Sequence, residues 1–239
     1  MAIVSNTIAY MDGDVVLEAF FAFDDALVGR RPAVLISHAW GGRDEFVAGK
    51  AKKLAELGYV GFAVDMYGKG ILGSGPERNA ELMRPFMEDR AMLQKRMQAA
   101  LAAVRLMPWV DDSQCAAIGF CFGGLCVLDL ARSGADVKGV VSFHGLLAAP
   151  GNTFGNTIKA KVLALHGHDD PMATPEQVLA FEQEMTEACV DWQLHVYGNT
   201  QHAFTNPIAN DPAFGTVYQP DADRRSWKAM ENFLQEIFS

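Results

Sequence analysis

The chain has 239 residues, of which 29 are acidic and 20 are basic, and its formal net charge is −9 at pH 7. Half of the residues are hydrophobic and 21% are charged, a balance that is typical of globular chains and excludes an intrinsically disordered one. The acidic excess, with a pI near 5.1, argues against nucleic acid and anionic membranes as partners.

The first half of the chain predicts a hairpin followed by alternating strands and helices. Asp12-Gly13 is a turn signal between two β-rich runs, and Gly58 is placed to end a helix. The predicted strands are residues 3–10, 15–23, 33–37 and 59–64, and the predicted helices are residues 45–57 and 87–107. The glycine-rich residues 66–76 predict a loop, and Pro85 is expected to interrupt the helical stretch before residue 87.

The second half repeats this alternation, and no linker-like composition separates the two halves. The predicted strands are residues 115–119, 137–143, 161–165 and 192–197, and the predicted helices are residues 122–132, 175–188 and 221–238. We therefore expect one α/β domain over residues 1–239, with a mostly parallel, doubly wound sheet, helices on both faces and an antiparallel N-terminal edge. In such sheets the functional site lies at the carboxyl ends of the strands.

The segment Gly119-Phe120-Cys121-Phe122-Gly123-Gly124 lies between a predicted strand and a predicted helix. A sharp strand-to-helix turn needs small residues two positions before and two positions after its central residue, and glycines occupy both positions. The pattern is that of a nucleophile elbow with cysteine in place of serine. The helix N-terminus favours a thiolate, and the amide of Phe122 points where an oxyanion would form. The alternative is a buried structural cysteine in a glycine-rich turn.

An acid and a histidine follow two later strands. Asp169 and Asp170 come after the strand at 161–165, and His202 lies in a long loop after the strand at 192–197. The chain order of nucleophile, acid and histidine, each just past a strand, is that of the α/β-hydrolases. In such a triad the histidine accepts the proton of the nucleophile, and the acid holds the imidazole in the required tautomer.

Together these motifs resemble the dienelactone hydrolases (carboxymethylenebutenolidases). The resemblance extends from residue 33 to residue 238. It rests on the elbow, on Asp65-Met66-Tyr67, on the step from Gly167 to Asp170 and on His202-Ala203-Phe204. It implies an α/β-hydrolase fold that cleaves an ester or enol-lactone bond through a thioester acyl-enzyme, with neither a cofactor nor a metal.

Carried over to this chain, the family's roles make Cys121 the nucleophile, His202 the general base and Asp170 the acid that orients it. Asp170 is preferred to Asp169 because the family spaces its acid three residues after a glycine. The oxyanion hole is expected from the backbone amides of Phe122 and of Trp40, which follows the strand at 33–37.

Substrate contacts are expected from Trp40 and Tyr67, which follow strand ends, although either ring can simply pack against its neighbours. Among Arg78, Arg84 and Arg90, we choose Arg84 as the cation for a substrate carboxylate, with a solvated helix face as the alternative. The loop at 205–220 is expected to cover the site.

Two positions depart from the founding members of the family. Those enzymes carry a glutamate near the nucleophile where this chain has Ala39, and an arginine four residues after the catalytic histidine where it has Asn206. The loss of both members of one charge pair leaves neither charge unpaired. The choice between lactones and simple esters therefore stays open, and Cys121, Asp170 and His202 are unaffected.

The remaining histidines support a rival reading. His38, His144, His166 and His168 also fall near strand ends, and His166-x-His168-x-Asp170 is similar to the start of a metallo-β-lactamase-type motif. That motif continues with a histidine, whereas Pro171 stands here, so a metal-dependent hydrolase is disfavoured. A thiol redox sensor based on Cys121 and an inactive hydrolase-fold binding module are the non-enzymatic alternatives.

Location and partners follow from what the sequence lacks. The N-terminus has neither the basic start nor the apolar run of a signal peptide, and no stretch is typical of a membrane span. The four cysteines fit neither a disulfide framework nor a zinc pattern. We expect a cytoplasmic protein that acts on a small-molecule ester or lactone, with its oligomeric state open.

Overall fold

The computed structural model describes residues 2–239, over which strands and helices alternate. The strands are β1 (Ile3–Asp12), β2 (Val15–Asp24), β3 (Arg31–Ser37), β4 (Val60–Ala63), β5 (Val110–Phe120), β6 (Gly139–Phe143), β7 (Lys161–Gly167), β8 (Trp192–Tyr197), β9 (Asn210–Asp211) and β10 (Thr216–Val217). The helices are α1 (Glu45–Glu56), α2 (Pro76–Glu88), α3 (Arg90–Arg105), α4 (Phe122–Arg132), α5 (Pro175–Glu187) and α6 (Pro220–Ile237). None of the helices in this described range is long and apolar enough to cross a membrane.

Eight of these strands belong to a mixed, mostly parallel sheet, and β9 and β10 form a small antiparallel sheet of their own. The predicted fold class, an α/β sheet with an antiparallel N-terminal edge, is confirmed. The chain divides into two compact units, Met1–Ile118 and Gly119–Ser239. The prediction of one domain over residues 1–239 stays a prediction.

In the first unit the strands follow the order β1-β2-β4-β3-β5. The β1–β2 hairpin is antiparallel, as the Asp12-Gly13 signal predicts, β2 pairs antiparallel with β4, and β3 and β4 are parallel. Helix α1 packs directly on β4, because a Cβ atom added to Gly61 would lie 2.6 Å from the Cα atom of Ala51. Gly58 ends the helix with a φ of +92°, a conformation that favours glycine.

In the second unit β6, β7 and β8 are neighbours in that order and run parallel. Helix α4 packs on β6, and the amphipathic α6 packs on β6 and β7. The approach of α6 is close, because a Cβ atom added to Gly139 would lie 2.8 Å from the ring of Phe233. Both parallel ladders end at the same edge, which places the loops after β6 and β7 side by side.

The helical stretch around Pro85 differs from the prediction. Pro85 lies inside α2, and the break comes four residues later, at Asp89. The Asp89 carboxylate accepts a hydrogen bond of 3.0 Å from the amide of Met92, so this side chain caps α3 and begins a new helix there. Propensity alone pointed to the proline, whereas the cap decides where the chain turns.

Candidate active site

Cys121 connects β5 to α4 in a strained turn. Its φ of +56° and ψ of −118° are rare for a residue with a side chain, and its amide donates a 3.1 Å hydrogen bond to the carbonyl of Phe143. The side chain is half-buried. Helix α4 begins at the next residue, Phe122, so the positive end of its dipole lies beside the cysteine. This is the geometry of a nucleophile elbow.

Two glycines make the elbow possible. A Cβ atom on Gly119 would lie 2.8 Å from the amide nitrogen of Gly124 and closer still to the carbonyl of Gly123. A Cβ atom on Gly124 would in turn lie 2.7 Å from the Cα atom of Gly145, which follows β6. Because these contacts are with backbone atoms, which cannot move aside, no larger residue fits without rebuilding the turn.

Asp170 and His202 form a buried pair. The Nδ1–H of His202 donates a 2.7 Å hydrogen bond to the Asp170 carboxylate, and the exposed fractions of the two side chains are 1% and 0%. The other carboxylate oxygen of Asp170 accepts a 2.8 Å hydrogen bond from the amide of Met172. Asp169 is exposed, and its amide donates to the carbonyl of Thr200. The structure therefore brings Asp170, and not its neighbour, to the histidine.

The backbone of His202 is held by the chain around β10. Its amide donates to the carbonyl of Gly215 at 2.9 Å, and its carbonyl accepts from the amide of Val217 at 3.1 Å. Phe204 is fully buried, and its carbonyl accepts from the amide of Gln219. The β9–β10 pair, which sequence patterning does not reveal, thus positions the histidine by backbone hydrogen bonds.

The environment of His202 favours a charged imidazole next to a thiolate. Burial lowers the pKa of His202, but the charge of the Cys121 thiolate and the hydrogen bond to Asp170 raise it, and the result is a pKa of about 10. The Nε2 atom is buried and has no nitrogen or oxygen partner among the residues that the structure describes. This nitrogen is therefore available to exchange a proton with the sulfur of Cys121.

Trp40 and Tyr67 lie together in the first unit. The Tyr67 hydroxyl donates a 2.9 Å hydrogen bond to the carbonyl of Trp40, and the Tyr67 ring packs against the rings of His38 and Phe86. Tyr67 is buried, Trp40 is half-buried, and Arg84 is exposed on α2. The roles of Trp40 in an oxyanion hole, and of Trp40, Tyr67 and Arg84 in substrate binding, stay predictions.

His38 connects the loop after β3 with the loop after β4. Its Nε2 accepts a 3.2 Å hydrogen bond from the amide of Met66, so its Nδ1 carries the proton and donates to the carbonyl of Ala39 at 2.6 Å. Burial lowers the pKa of His38, which favours this neutral form. Of the histidines that sequence reasoning set aside, this one therefore has a structural role in the first unit.

The residues of the rival metal motif are divided among different environments. His166 is buried, His168 is exposed, and Asp170 is bonded to His202. Within residues 2–239, no group of three or more histidine, cysteine, aspartate or glutamate side chains is arranged to hold a metal ion.

A comparison with models of known families identifies the family of this chain. The model of the dienelactone hydrolase family matches residues 17–238. A solved structure, the dienelactone hydrolase-like promiscuous phosphotriesterase P91 from metagenomic libraries, is 36% identical, with a TM-score of 0.94 over 100% of both chains. Protein K02A2.1 of Caenorhabditis elegans is 37% identical over 150 residues, which are 62% of this chain and 95% of that protein.

A more distant relative has a name that specifies a substrate. A Bradyrhizobium protein named "Probable 2-oxo-3-(5-oxofuran-2-ylidene)propanoate lactonase" is 27% identical over 218 residues. The match covers 84% of this chain and 82% of that protein.

Proposed function

This chain belongs to the dienelactone hydrolase family, and on that premise we propose that it hydrolyses carboxylic esters or lactones through Cys121, His202 and Asp170. The observation that carries the proposal is the buried 2.7 Å hydrogen bond between Asp170 and His202, in the same compact unit as the strained cysteine at the elbow. A strained backbone and two buried polar groups are costly to maintain, and such features concentrate at functional sites.

In the proposed cycle the Cys121 thiolate attacks the carbonyl carbon of the substrate and forms a carbon–sulfur bond. The tetrahedral oxyanion is stabilised by the amide of Phe122 at the start of α4. Collapse of this intermediate breaks the carbon–oxygen bond, and the imidazolium of His202 protonates the leaving alkoxide or enolate. His202 then takes a proton from water, which attacks the thioester and releases the acid and the thiolate. Asp170 keeps the Nε2 of His202 directed at the sulfur throughout.

The substrate class follows from the two departures from the family pattern. Asn206 carries no charge, and its side-chain oxygen accepts a hydrogen bond from the amide of Ile208 in its own loop. Ala39 has no carboxylate to pair with an arginine. We therefore expect no strong preference for acidic lactones over esters and lactones without a free carboxylate. Strong selectivity for acidic lactones would instead identify another cation, with Arg84 as the first to test.

The test is a panel of p-nitrophenyl esters and lactones, assayed with the wild type, with Cys121→Ala and after thiol alkylation. Cys121→Ala should lose turnover by roughly 10³-fold or more while it keeps its fold. Cys121→Ser should retain only a small fraction of the wild-type activity, because a hydroxyl is a poorer nucleophile than a thiolate in this site. Turnover at the wild-type rate in the alanine variant would refute the mechanism.

A second candidate activity is the hydrolysis of phosphotriesters. It is favoured by P91, which is described as a promiscuous phosphotriesterase and is 36% identical over its whole length. The same thiolate would attack phosphorus and displace an alcohol or phenol. A p-nitrophenyl dialkyl phosphate in the same panel tests it, because Cys121→Ala should abolish release of p-nitrophenol from both substrate classes.

The non-enzymatic alternatives have less support. Redox-sensor cysteines are often adjacent to a resolving thiol, and Cys126, five residues after Cys121, is completely buried in α4. An inactive binding module has no need of the buried hydrogen bond between Asp170 and His202. Absence of turnover across the whole panel, together with reversible oxidation of Cys121, would favour the sensor.

A further inference from the structure

His144 contacts both the proposed nucleophile, Cys121, and the loop that carries His202. It follows β6 and is 2% exposed. Its Nδ1 accepts a 3.2 Å hydrogen bond from the amide of Cys121, which shares its N–H between this nitrogen and the carbonyl of Phe143. Its Nε2 lies 2.8 Å from the hydroxyl oxygen of Thr205. Because Nδ1 accepts, the proton is on Nε2, which donates to Thr205. A neutral imidazole with its proton on Nε2 makes both hydrogen bonds, and a protonated ring cannot.

One hydrogen-bond partner of His144 is at the proposed nucleophile, and the other is in the loop that carries the proposed base, His202. One is the backbone of Cys121, whose unusual φ the bond helps to hold. The other is Thr205, three residues after His202 and 1% exposed. The His144 ring also packs in T-shaped fashion against the rings of His202 and Phe204, with centroid separations of 5.1 Å and 5.0 Å. The ring therefore fills the space between the elbow and the histidine loop.

The backbone at His144 is also strained. Its φ is +39°, and its amide donates a 2.8 Å hydrogen bond to the carbonyl of Leu165 in β7. The next residue, Gly145, packs against Gly124 of α4. A strained residue held on several sides by the surrounding structure is typical of a functional position.

We infer that His144 is a positioning residue. Through the amide of Cys121 and the hydroxyl of Thr205, it sets the separation between the sulfur of Cys121 and the imidazole of His202. The inference rests on the proposed function, because it concerns the geometry of the same nucleophile and base. In this role His144 neither gives a proton to nor takes one from the sulfur of Cys121 or the imidazole of His202.

The test compares five variants by kcat and KM for a p-nitrophenyl ester and by the rate of iodoacetamide reaction at Cys121, measured by mass spectrometry. His144→Phe removes both hydrogen bonds at similar volume, and Thr205→Val removes one. The double variant combines these two changes. Thr205→Ser restores the hydroxyl. Thr200→Val is the matched control, because Thr200 is also buried in this loop but its hydroxyl donates to the carbonyl of Gly198.

We expect His144→Phe to lower kcat by about 10²-fold with little change in KM, since a small displacement of reacting groups has that cost. Thr205→Val should lower kcat by about tenfold, the equivalent of one hydrogen bond. The alkylation rate should fall in parallel. Thr205→Ser and Thr200→Val should behave as the wild type. The kcat of the double variant should be no lower than that of His144→Phe, because both changes break the same connection from Cys121 through His144 to Thr205.

A folded His144→Phe variant with wild-type kcat would overturn the inference, and so would multiplicative effects in the double variant. If His144→Phe does not fold, the Thr205 variants decide, because equal kcat values for Thr205→Val and Thr205→Ser would also overturn it. Cys121→Ala is measured beside them. If it retains turnover, the proposed function fails and the inference with it; if it is inactive while His144→Phe is fully active, the inference alone fails.

Discussion

The carboxylate of Asp170 accepts a 2.7 Å hydrogen bond from the Nδ1–H of His202, and the adjacent acid, Asp169, is exposed to solvent. Two consecutive aspartates thus have opposite environments. Removal of the charge of Asp170 would leave the Nδ1–H of a buried imidazole without an anionic acceptor, whereas the charge of Asp169 is hydrated. The same substitution at Asp170 and at Asp169 should therefore have very different effects, and Asp169 is the control for Asp170.

Asp170→Asn should lower kcat on the order of 10³-fold or more, because an amide can stabilise the wrong tautomer of His202. Asp169→Asn should change kcat less than about threefold, as expected for an exposed side chain outside the site. Steady-state kinetics on one p-nitrophenyl ester measures both. The opposite ranking would mean that Asp169 is the orienting acid.

Alkylation of Cys121 should depend on His202. The pKa of His202 is raised from its ordinary value of 6.5 to about 10, so the imidazolium charge persists as the pH rises and is lost only near pH 10. Below that pH the charge stabilises a resting thiolate. The iodoacetamide rate of the wild type should therefore be high and nearly constant from neutral pH to about pH 9.

In His202→Ala the same rate should be lower at neutral pH and should rise with a midpoint near the unperturbed cysteine value of about 8.5. Peptide mass spectrometry separates Cys121 from Cys189, the exposed cysteine. A single titration near pH 8.5 in both proteins would contradict the resting ion pair.

Gly119→Ala should abolish turnover and lower the free energy of unfolding by about 3 kcal/mol, because its Cβ atom would overlap the backbone of α4. The matched control is Gly49→Ala. Gly49 lies in α1, has no atom within 4 Å of an added Cβ, and should gain about 0.5–1 kcal/mol of stability. Urea unfolding measures both. A Gly119→Ala variant as stable as the wild type would show that the elbow has room to adapt.

Arg132 should be a major contributor to stability. It is the last residue of α4 and is 1% exposed, and its guanidinium donates two hydrogen bonds to Glu184 of α5, at 2.9 and 2.6 Å. It also lies 3.3 Å from the buried carboxylate of Asp129. Arg132→Met should lower the free energy of unfolding by about 3 kcal/mol, because it leaves that carboxylate without its cation.

The control for Arg132 is Arg224→Met, which removes an exposed pair with Asp221 on α6. Exposed pairs contribute little, and the loss should be below about 1 kcal/mol. Both free energies come from urea denaturation followed by circular dichroism. Equal losses of unfolding free energy in Arg132→Met and Arg224→Met would show that burial does not strengthen the contribution of Arg132 to stability.

Turnover should not require a metal ion. Prolonged chelation should leave ester hydrolysis unchanged, and elemental analysis should find no stoichiometric zinc, because the proposed mechanism activates the thiol through His202 and α4. If activity falls on chelation and returns when metal is added, the rival motif His166-x-His168-x-Asp170 would be supported instead.

Sequence alone was sufficient wherever local chemistry decides the outcome. The Asp12-Gly13 turn predicts its hairpin, and the glycines around Cys121 predict the elbow, because each depends on residues adjacent in the chain. The bounds of α4 were predicted to the residue. The family resemblance, which rests on short motifs of this kind, is confirmed by the match over residues 17–238.

Tertiary structure decided what depends on neighbours distant in sequence. In the sequence His144 is one of several histidines near strand ends, and its two hydrogen-bond partners are 23 and 61 residues away. Arg132 is the last residue of a predicted helix, and only the fold buries it against Glu184, 52 residues further on. Periodicity reports which face of an element is apolar, but a buried polar group is stable only with its particular partners, and only folding brings those partners to it.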